Sequence, residues 1–308
     1  MLSLICYKQF MENRLVFGET GVPYKDADVA LLPIPYEGTV SYGKGASNGP
    51  LGIIDASHNA EMFDFITERN YEDLKISVLP MMNVEGDPEA VMTNIEKEID
   101  KILADGLLPF VIGGEHSITT PCVRSIARFH ANEGGAAGAN AAEIGVVQID
   151  AHADLRDEYS GTKHSHAAVM RRVREIVPAI QLGIRSCSIE ESELIKKENL
   201  IVLSPEEVFK ENRLATALES LPKKIYLTLD IDGLDPSIMP STGTPEPGGF
   251  SWEELNRLID FIAGQKEIVG ADIVELAPIP GFIAPDYTAA RIAFNMIWLM
   301  SRKNREKK

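Results

Sequence analysis

The sequence predicts an α/β chain built on one mostly parallel sheet of eight strands, with helices covering both faces. Three observations predict this. Short apolar, β-branched runs recur along the 308 residues. Stretches with apolar residues at three- and four-residue spacing lie between them. The runs are apolar throughout rather than alternating, as strands buried on both faces are.

In order, the runs are DVALLPIP from 28, ISVLP from 76, LPFVIGG from 108, IGVVQID from 144, AIQLGI from 179, LIVLS from 200, KIYLTLD from 224 and IVGADIVEL from 268. Between them, AVMTNIEKEIDKILADG and SWEELNRLIDFIAGQ carry their apolar residues at helical spacing. SPEEVFKEN opens with a serine N-cap and an acidic first turn. No Pro- or Ser-rich linker and no internal repeat divides the chain, so residues 1–308 read as one domain. The low-complexity patch HANEGGAAGANAAE reads as a flexible surface loop near 131–143. The basic tail near 302–308, RKNREKK, reads as the end of a last helix, where cations complement the dipole.

An apolar content of 44% supplies a large core. Cys6, Cys122 and Cys187 form neither a disulfide framework nor a CxxC-type zinc site. The opening MLSLICYKQFMENR lacks a basic segment and a long apolar run, so a reducing, cytoplasmic setting without a membrane span is expected. A net charge of −16 argues against nucleic acid, which calls for a basic surface. It suits a cationic substrate or a bound metal, although an acidic surface also serves plain solubility.

Ligand sites in such sheets lie at the carboxyl ends of the strands. The run IGVVQ leads into IDAHADLRD, where Asp150, His152 and Asp154 alternate. In an extended chain, residues two apart share a side, so three ligand-type groups would converge on one spot. Uncompensated, they would repel one another and resist desolvation; a cation is expected among them. KIYLTLD delivers Asp230 and Asp232 in the same alternation, and IVGADIVEL delivers Glu275. LPFVIGG delivers Glu115 and His116 after two glycines that permit a tight turn. Taken singly, each has a plain structural reading, as a satisfied histidine or as turn-capping aspartates, and Asp235 before Pro236 is read that way. Together, two histidines and four aspartates reach three neighbouring strand ends.

Four carboxylates carry a charge that two divalent cations neutralise. Sharing carboxylates between the ions leaves room for a water, which such a centre ionises near neutral pH to make hydroxide the nucleophile. Oxygen and imidazole ligands without thiolate favour manganese, with zinc, cobalt and nickel as competitors.

The segments GGEHS, DAHADLRD, SHAAVMRR, LTLDIDGLDPS, TGTPEPGG and DIVELAP, with PIPYEGTVSYGKGASNGPLGIIDAS upstream, resemble the ureohydrolase family of arginases and agmatinases. The resemblance runs in order over nearly the whole chain and is strongest to the agmatinases. It implies a three-layer αβα arginase-type fold, a centre of two Mn²⁺ per chain, and a homo-oligomer, trimer or hexamer. By the same resemblance His116, Asp150, Asp154 and Asp230 would hold the first manganese. Asp150, His152, Asp230 and Asp232 would hold the second, with Asp150 and Asp230 bridging. Glu275 falls on the guanidinium-binding glutamate. His166 falls on the proton-shuttling histidine, with Ala167 where the family has glycine and His164 as a competitor two residues earlier.

The expected chemistry is attack of hydroxide on the guanidinium carbon to give a neutral tetrahedral intermediate. Asp154 would pass a proton to the departing amine, Glu275 would pair with the guanidinium nitrogens, and His166 would relay protons to solvent. Urea and a primary amine leave. GTKHSHA stands where arginases carry a Ser-Gly-Asn-Leu-His-Gly loop that helps to hold the substrate's α-carboxylate and amine. The difference favours a small cationic guanidino substrate without a carboxylate. Agmatine, giving putrescine, comes first; N1-aminopropylagmatine, giving spermidine, is the alternative, with arginine or guanidinobutyrate behind. Asp157 or Glu158 would meet the distal ammonium, unless they are simply solvated. Two rival readings are a single-zinc deacetylase of related fold, which needs neither Asp154 nor GGEHS, and a non-catalytic polyamine-binding descendant. His58, His130, Cys122, Trp252 and Trp298 are assigned to packing or surface.

Overall fold

The computed structural model describes residues 15–133, 143–302 and 305. Its elements are β1 (Val29–Ile34), α1 (Gly49–Ser57), β2 (Phe63–Asp64), β3 (Arg69–Asn70), β4 (Ile76–Val78), α2 (Pro88–Ala104), β5 (Leu108–Gly113), α3 (Thr119–Glu133), β6 (Ile144–Ile149) and α4 (Val169–Arg174). They continue with β7 (Ala179–Leu182), α5 (Ile189–Glu198), β8 (Val202–Leu203), α6 (Pro205–Val208), α7 (Arg213–Glu219), β9 (Lys224–Asp230), α8 (Trp252–Gln265), β10 (Glu267–Val274) and α9 (Ala284–Met300).

The eight expected runs form one sheet in the order β4-β1-β5-β10-β9-β6-β7-β8, and every pairing in it is parallel. LIVLS shrinks to the two-residue edge strand β8. The hairpin of β2 and β3 is separate, antiparallel and unanticipated. Each face of the sheet has its own apolar core. Phe110, Ile112, Val147 and Leu229 pack with α1, α7, α8 and α9 on one side. Val111, Val146 and Tyr226 pack with α2, α3 and α4 on the other. Strand residues two apart share a face, so one β-strand feeds both cores and the result is three layers.

Four helices begin at side-chain caps. Ser251, Ser204 and Ser188 form capping boxes with Glu254, Glu207 and Glu191, and Asp87 caps α2 ahead of Pro88. Residues 131–133 of the expected loop near 131–143 belong instead to α3, which runs to Glu133. Residues 134–142, most of the basic tail, and the first fourteen residues with Cys6 lie outside the described residues. No helix among the described residues is long and apolar enough to cross a membrane.

The chain passes from β5 to β6 across a gap two strands wide, which β9 and β10 fill later. The four inner strands β5, β10, β9 and β6 are therefore the ones whose carboxyl ends meet at the crevice where the winding reverses. The three strand ends expected to be neighbours are not all adjacent: β10, the strand that carries Glu275, sits between β5 and β9.

Candidate metal centre

Each strand end is shaped by the residues it delivers. At β6, Asp150 Oδ1 accepts from His152 N at 2.6 Å, and at β9, Asp230 Oδ1 accepts from Asp232 N at 2.9 Å. The strands thus stop at Ile149 and Asp230. The expected extended alternation is replaced by aspartate-capped turns, one of them the 3₁₀ turn Ile231–Gly233. Asp154 reaches the centre through a left-handed backbone at φ 52°, and Glu275 through one at φ 65°. Non-glycine residues held there store strain that the surrounding fold must over-determine. At β5 the glycines serve space rather than a special turn: a Cβ on Gly114 would lie 2.0 Å from the Tyr36 carbonyl oxygen.

The six expected ligands come together. His116 Nδ1 lies 3.1 Å from Asp150 Oδ2, 3.3 Å from Asp154 Oδ2 and 3.4 Å from Asp230 Oδ2. His152 Nδ1 lies 2.9 Å from Asp232 Oδ2 and 3.8 Å from Asp150 Oδ1. Two ligand groups result, His116–Asp150–Asp230 and Asp150–His152–Asp232, with Asp150 common to both. His116, Asp150, Asp230 and Asp232 are almost wholly buried.

This set fits divalent cations on two grounds. His116 Nδ1 is buried and meets none of its three carboxylates with hydrogen-bond geometry, although all stand within 3.4 Å. The carboxylates also perturb one another. Burial, then the charges of Asp232 and Asp154, push the Asp150 carboxyl up to about 7. Burial, then Asp232 and Asp150, drive Asp230 well upward. Burial opposes a charge on His152, but the bond and charge of Asp232 overcome it and raise the imidazole to about 10. His116 is raised in the same way, against its burial, by Asp150, Asp154 and Asp230. The cluster draws in positive charge, and protons on the imidazoles occupy the role that cations fill better.

A second set of polar groups orients the first. His116 Nε2 faces Thr228 Oγ1 at 2.8 Å, leaving Nδ1 for the centre. Gln148 Nε2 donates to Asp150 Oδ2 at 2.6 Å, and Gln181 Nε2 donates to Gln148 Oε1 at 2.6 Å. Glu275 Oε1 accepts from His116 N at 2.7 Å. Gln148, Gln181 and Thr228 are absent from the residues expected from the sequence. The available signal was a polar residue inside an otherwise apolar strand, which buries only if something there needs it.

A cavity of about 280 Å³ opens over this cluster, and its lining includes His152, Asp154, Asp230, Asp232 and Glu275. His166 lines it and His164 does not. Asp157 and Glu158, expected near the distal end, are also absent from the lining; Arg172 Nη2 binds Asp157 at 2.6 Å. The lining also includes Ser41, Tyr42, Tyr159, Ser186, Ser188 and the acid Glu191. Elsewhere Asp235 is a turn residue, as its place before Pro236 predicts, accepting from Ser237 N and Gly248 N at 3.0 and 2.8 Å. Cys122 is fully buried, and burial raises its thiol.

An acid–imidazole cluster at the carboxyl ends of a parallel sheet, with a carboxylate beside it in the cavity, is a candidate site for metal-assisted hydrolysis in an α/β protein. The matching family model narrows this: residues 27–299 match the arginase family. The chain belongs to that family and is a ureohydrolase, an enzyme acting on amidino C–N bonds. It is 35% identical to the N(1)-aminopropylagmatine ureohydrolase of a Synechocystis species, over 97% of this chain and 96% of that one. It is 37% identical to the protein of the same name from Thermus thermophilus, over 93% and 94%. Among solved structures, the agmatine ureohydrolase of Thermoplasma volcanium superposes with a TM-score of 0.83, at 28% identity, over 98% and 100% of the two chains.

Proposed function

We propose that the whole chain acts as one ureohydrolase domain, holds two Mn²⁺ and hydrolyses the guanidinium group of a linear, carboxylate-free aminoalkylguanidine. One observation carries the reading. Two ligand groups sharing Asp150 open, together with Glu275, into a single cavity. His116, Asp150, Asp154 and Asp230 would hold one ion and Asp150, His152, Asp230 and Asp232 the other. The ion pair, when bound, supplies Lewis acidity and lowers the pKa of water towards neutrality.

The chain's own residues do the rest. Burial and the neighbouring Glu115 charge push the Glu275 carboxyl well up, so a cation arriving beside it is what favours its ionised form. A planar guanidinium is such a cation and pairs with a carboxylate through parallel hydrogen bonds. Asp154, held at the cavity floor, takes up the proton released as the carbon is attacked and returns it to the leaving amine. His166 exchanges protons between the cavity and solvent.

The names of the Synechocystis and Thermus relatives support N1-aminopropylagmatine, giving spermidine and urea, and that of the Thermoplasma neighbour supports agmatine, giving putrescine. The higher identity of the first two makes the extended substrate the first reading and agmatine the second. Assembly as a trimer or hexamer belongs to the same proposal and is checked by light scattering. The deciding assay is urea release with Mn²⁺ on N1-aminopropylagmatine, agmatine, arginine and guanidinobutyrate. Turnover of the first two well above the carboxylates is expected; inactivity on all four overturns the proposal.

A further inference from the structure

We infer that Glu115 and Thr39 are positioning residues that fix the tautomer of His166, so that its proton exchange runs through Nε2. The inference rests on the proton-transfer role proposed above for His166. Glu115 is fully buried next to the ligand His116, yet its carboxylate serves another residue. Oε2 accepts from Thr39 N at 2.6 Å, while Oε1 accepts from Thr39 Oγ1 at 2.8 Å and from Ser117 Oγ at 2.6 Å. Both donors of Thr39 are committed to one carboxylate in a charge-assisted, two-pronged arrangement.

A hydroxyl has one proton and two lone pairs. With its proton given to Glu115, Thr39 Oγ1 can only accept from whatever else it touches. It touches His166 twice, at the backbone N and at ring Nδ1, each at 3.2 Å. Nδ1 therefore carries a hydrogen in both the neutral and the protonated ring. Ser165 Oγ reaches the same nitrogen from farther away, at 3.5 Å. The Tyr159 ring packs against the imidazole with centroids 5.7 Å apart. Nε2 is the nitrogen left to gain and lose a proton at the cavity, and it can do so without rotation of the ring.

Glu115→Gln makes this testable because it reverses the network rather than merely weakening it. The Thr39 backbone N–H needs an acceptor where Oε2 now stands, so the amide oxygen takes that place. The amide NH₂ then falls where Oε1 was and donates to Thr39 Oγ1. The Thr39 hydroxyl has to turn its proton towards His166 Nδ1, and the ring shifts to the Nε2–H tautomer. In a serine protease, a wrong histidine tautomer costs roughly 10⁴ in kcat. Thr39→Val removes the hydroxyl without changing any charge near Glu275, and Thr39→Ser keeps it.

The test uses metal-loaded wild type, the three variants and His166→Ala, each with and without added imidazole. Metal content is measured beside kcat and KM. Glu115→Gln and Thr39→Val should lose kcat by about 10²-fold or more with metal content unchanged, and Thr39→Val, which leaves the charge beside Glu275 intact, should keep KM within about twofold. Thr39→Ser should recover most of the Thr39→Val loss. Imidazole should raise kcat of His166→Ala and of both impaired variants, because a diffusible base bypasses a misdirected ring. Ring ¹⁵N shifts in histidine-labelled protein loaded with diamagnetic Mg²⁺, assigned against His166→Ala, should show Nδ1–H in wild type and Nε2–H in Glu115→Gln. An active wild type matched in kcat by Thr39→Val overturns the inference alone, as do kcat losses that follow metal loss or ignore imidazole. A wild type that releases no urea overturns the proposed function and this inference with it.

Discussion

Asp150→Asn acts with opposite sign on the protein with and without cations. The Asp150 carboxyl is fully buried and pushed up from 3.8 to about 7, by burial first and then by Asp232 and Asp154. A group raised by folding contributes stability that is whole below its unfolded value and is lost as pH climbs to its folded value. Between about pH 4 and pH 7 the cation-free protein thus loses roughly 4 kcal/mol through this group, about three pH units at about 1.36 kcal/mol each. Asparagine does not ionise and escapes that loss. It surrenders one of the two acceptors used by Gln148 Nε2 and His152 N, both at 2.6 Å. An orphaned buried donor costs about 1–3 kcal/mol. The chelated variant should therefore be about 1–3 kcal/mol more stable than chelated wild type at pH 7.5, a rise of roughly 2–5 °C in Tm for a chain of this size. With Mn²⁺ the order reverses, because ions that bind only the folded state stabilise it by mass action and the variant has lost the shared ligand. Calorimetry after dialysis against a chelator, repeated with Mn²⁺ and paired with metal analysis, reads both signs. A chelated variant that melts below wild type, or a loaded variant with two ions and full urea release, refutes the reasoning.

Glu275→Gln keeps an acceptor for His116 N but removes the charge offered to the guanidinium; losing one partner of a buried charge pair costs roughly 2–5 kcal/mol. Urea-release kinetics should show kcat/KM lower by about 30-fold or more with both ions retained, and unchanged kinetics would remove Glu275 from substrate binding. Asp235 is held down to about 2 by the Ser237 hydroxyl and N–H and by the N–H groups of Gly248 and Gly249. A depressed carboxyl contributes stability above its unfolded value that is lost as pH falls to its folded value, here from about pH 4 to pH 2. Asp235→Asn should flatten the acid limb of the Tm–pH curve in that window; an unchanged limb would show that the turn does not depend on the charge.

Much of the centre was legible because it is local. Asp150 with His152, and Asp230 with Asp232, sit two residues apart at strand ends, and the general rule for parallel sheets says where such ends lie. The two-residue spacing predicts an extended strand that aims both members of each pair. The first aspartate instead caps the backbone of its partner, so the turn-residue reading and the ligand reading hold together in one side chain. Asp157 and Glu158, each read either as a contact for the distal ammonium or as a solvated acid, are exposed and off the cavity lining, and Arg172 pairs with Asp157.

The sequence by itself determined the α/β class, the eight strands, the helix caps and the identity of the acids and imidazoles, since periodicity, capping and residue chemistry are properties of short windows. Only the tertiary structure decided that β10 lies between β5 and β9, and that Thr39 joins Glu115 to His166 across 76 and 127 residues of chain. Those relations depend on which strands are neighbours and where each hydroxyl proton must go, and both are set by packing and hydrogen-bond satisfaction over the whole molecule.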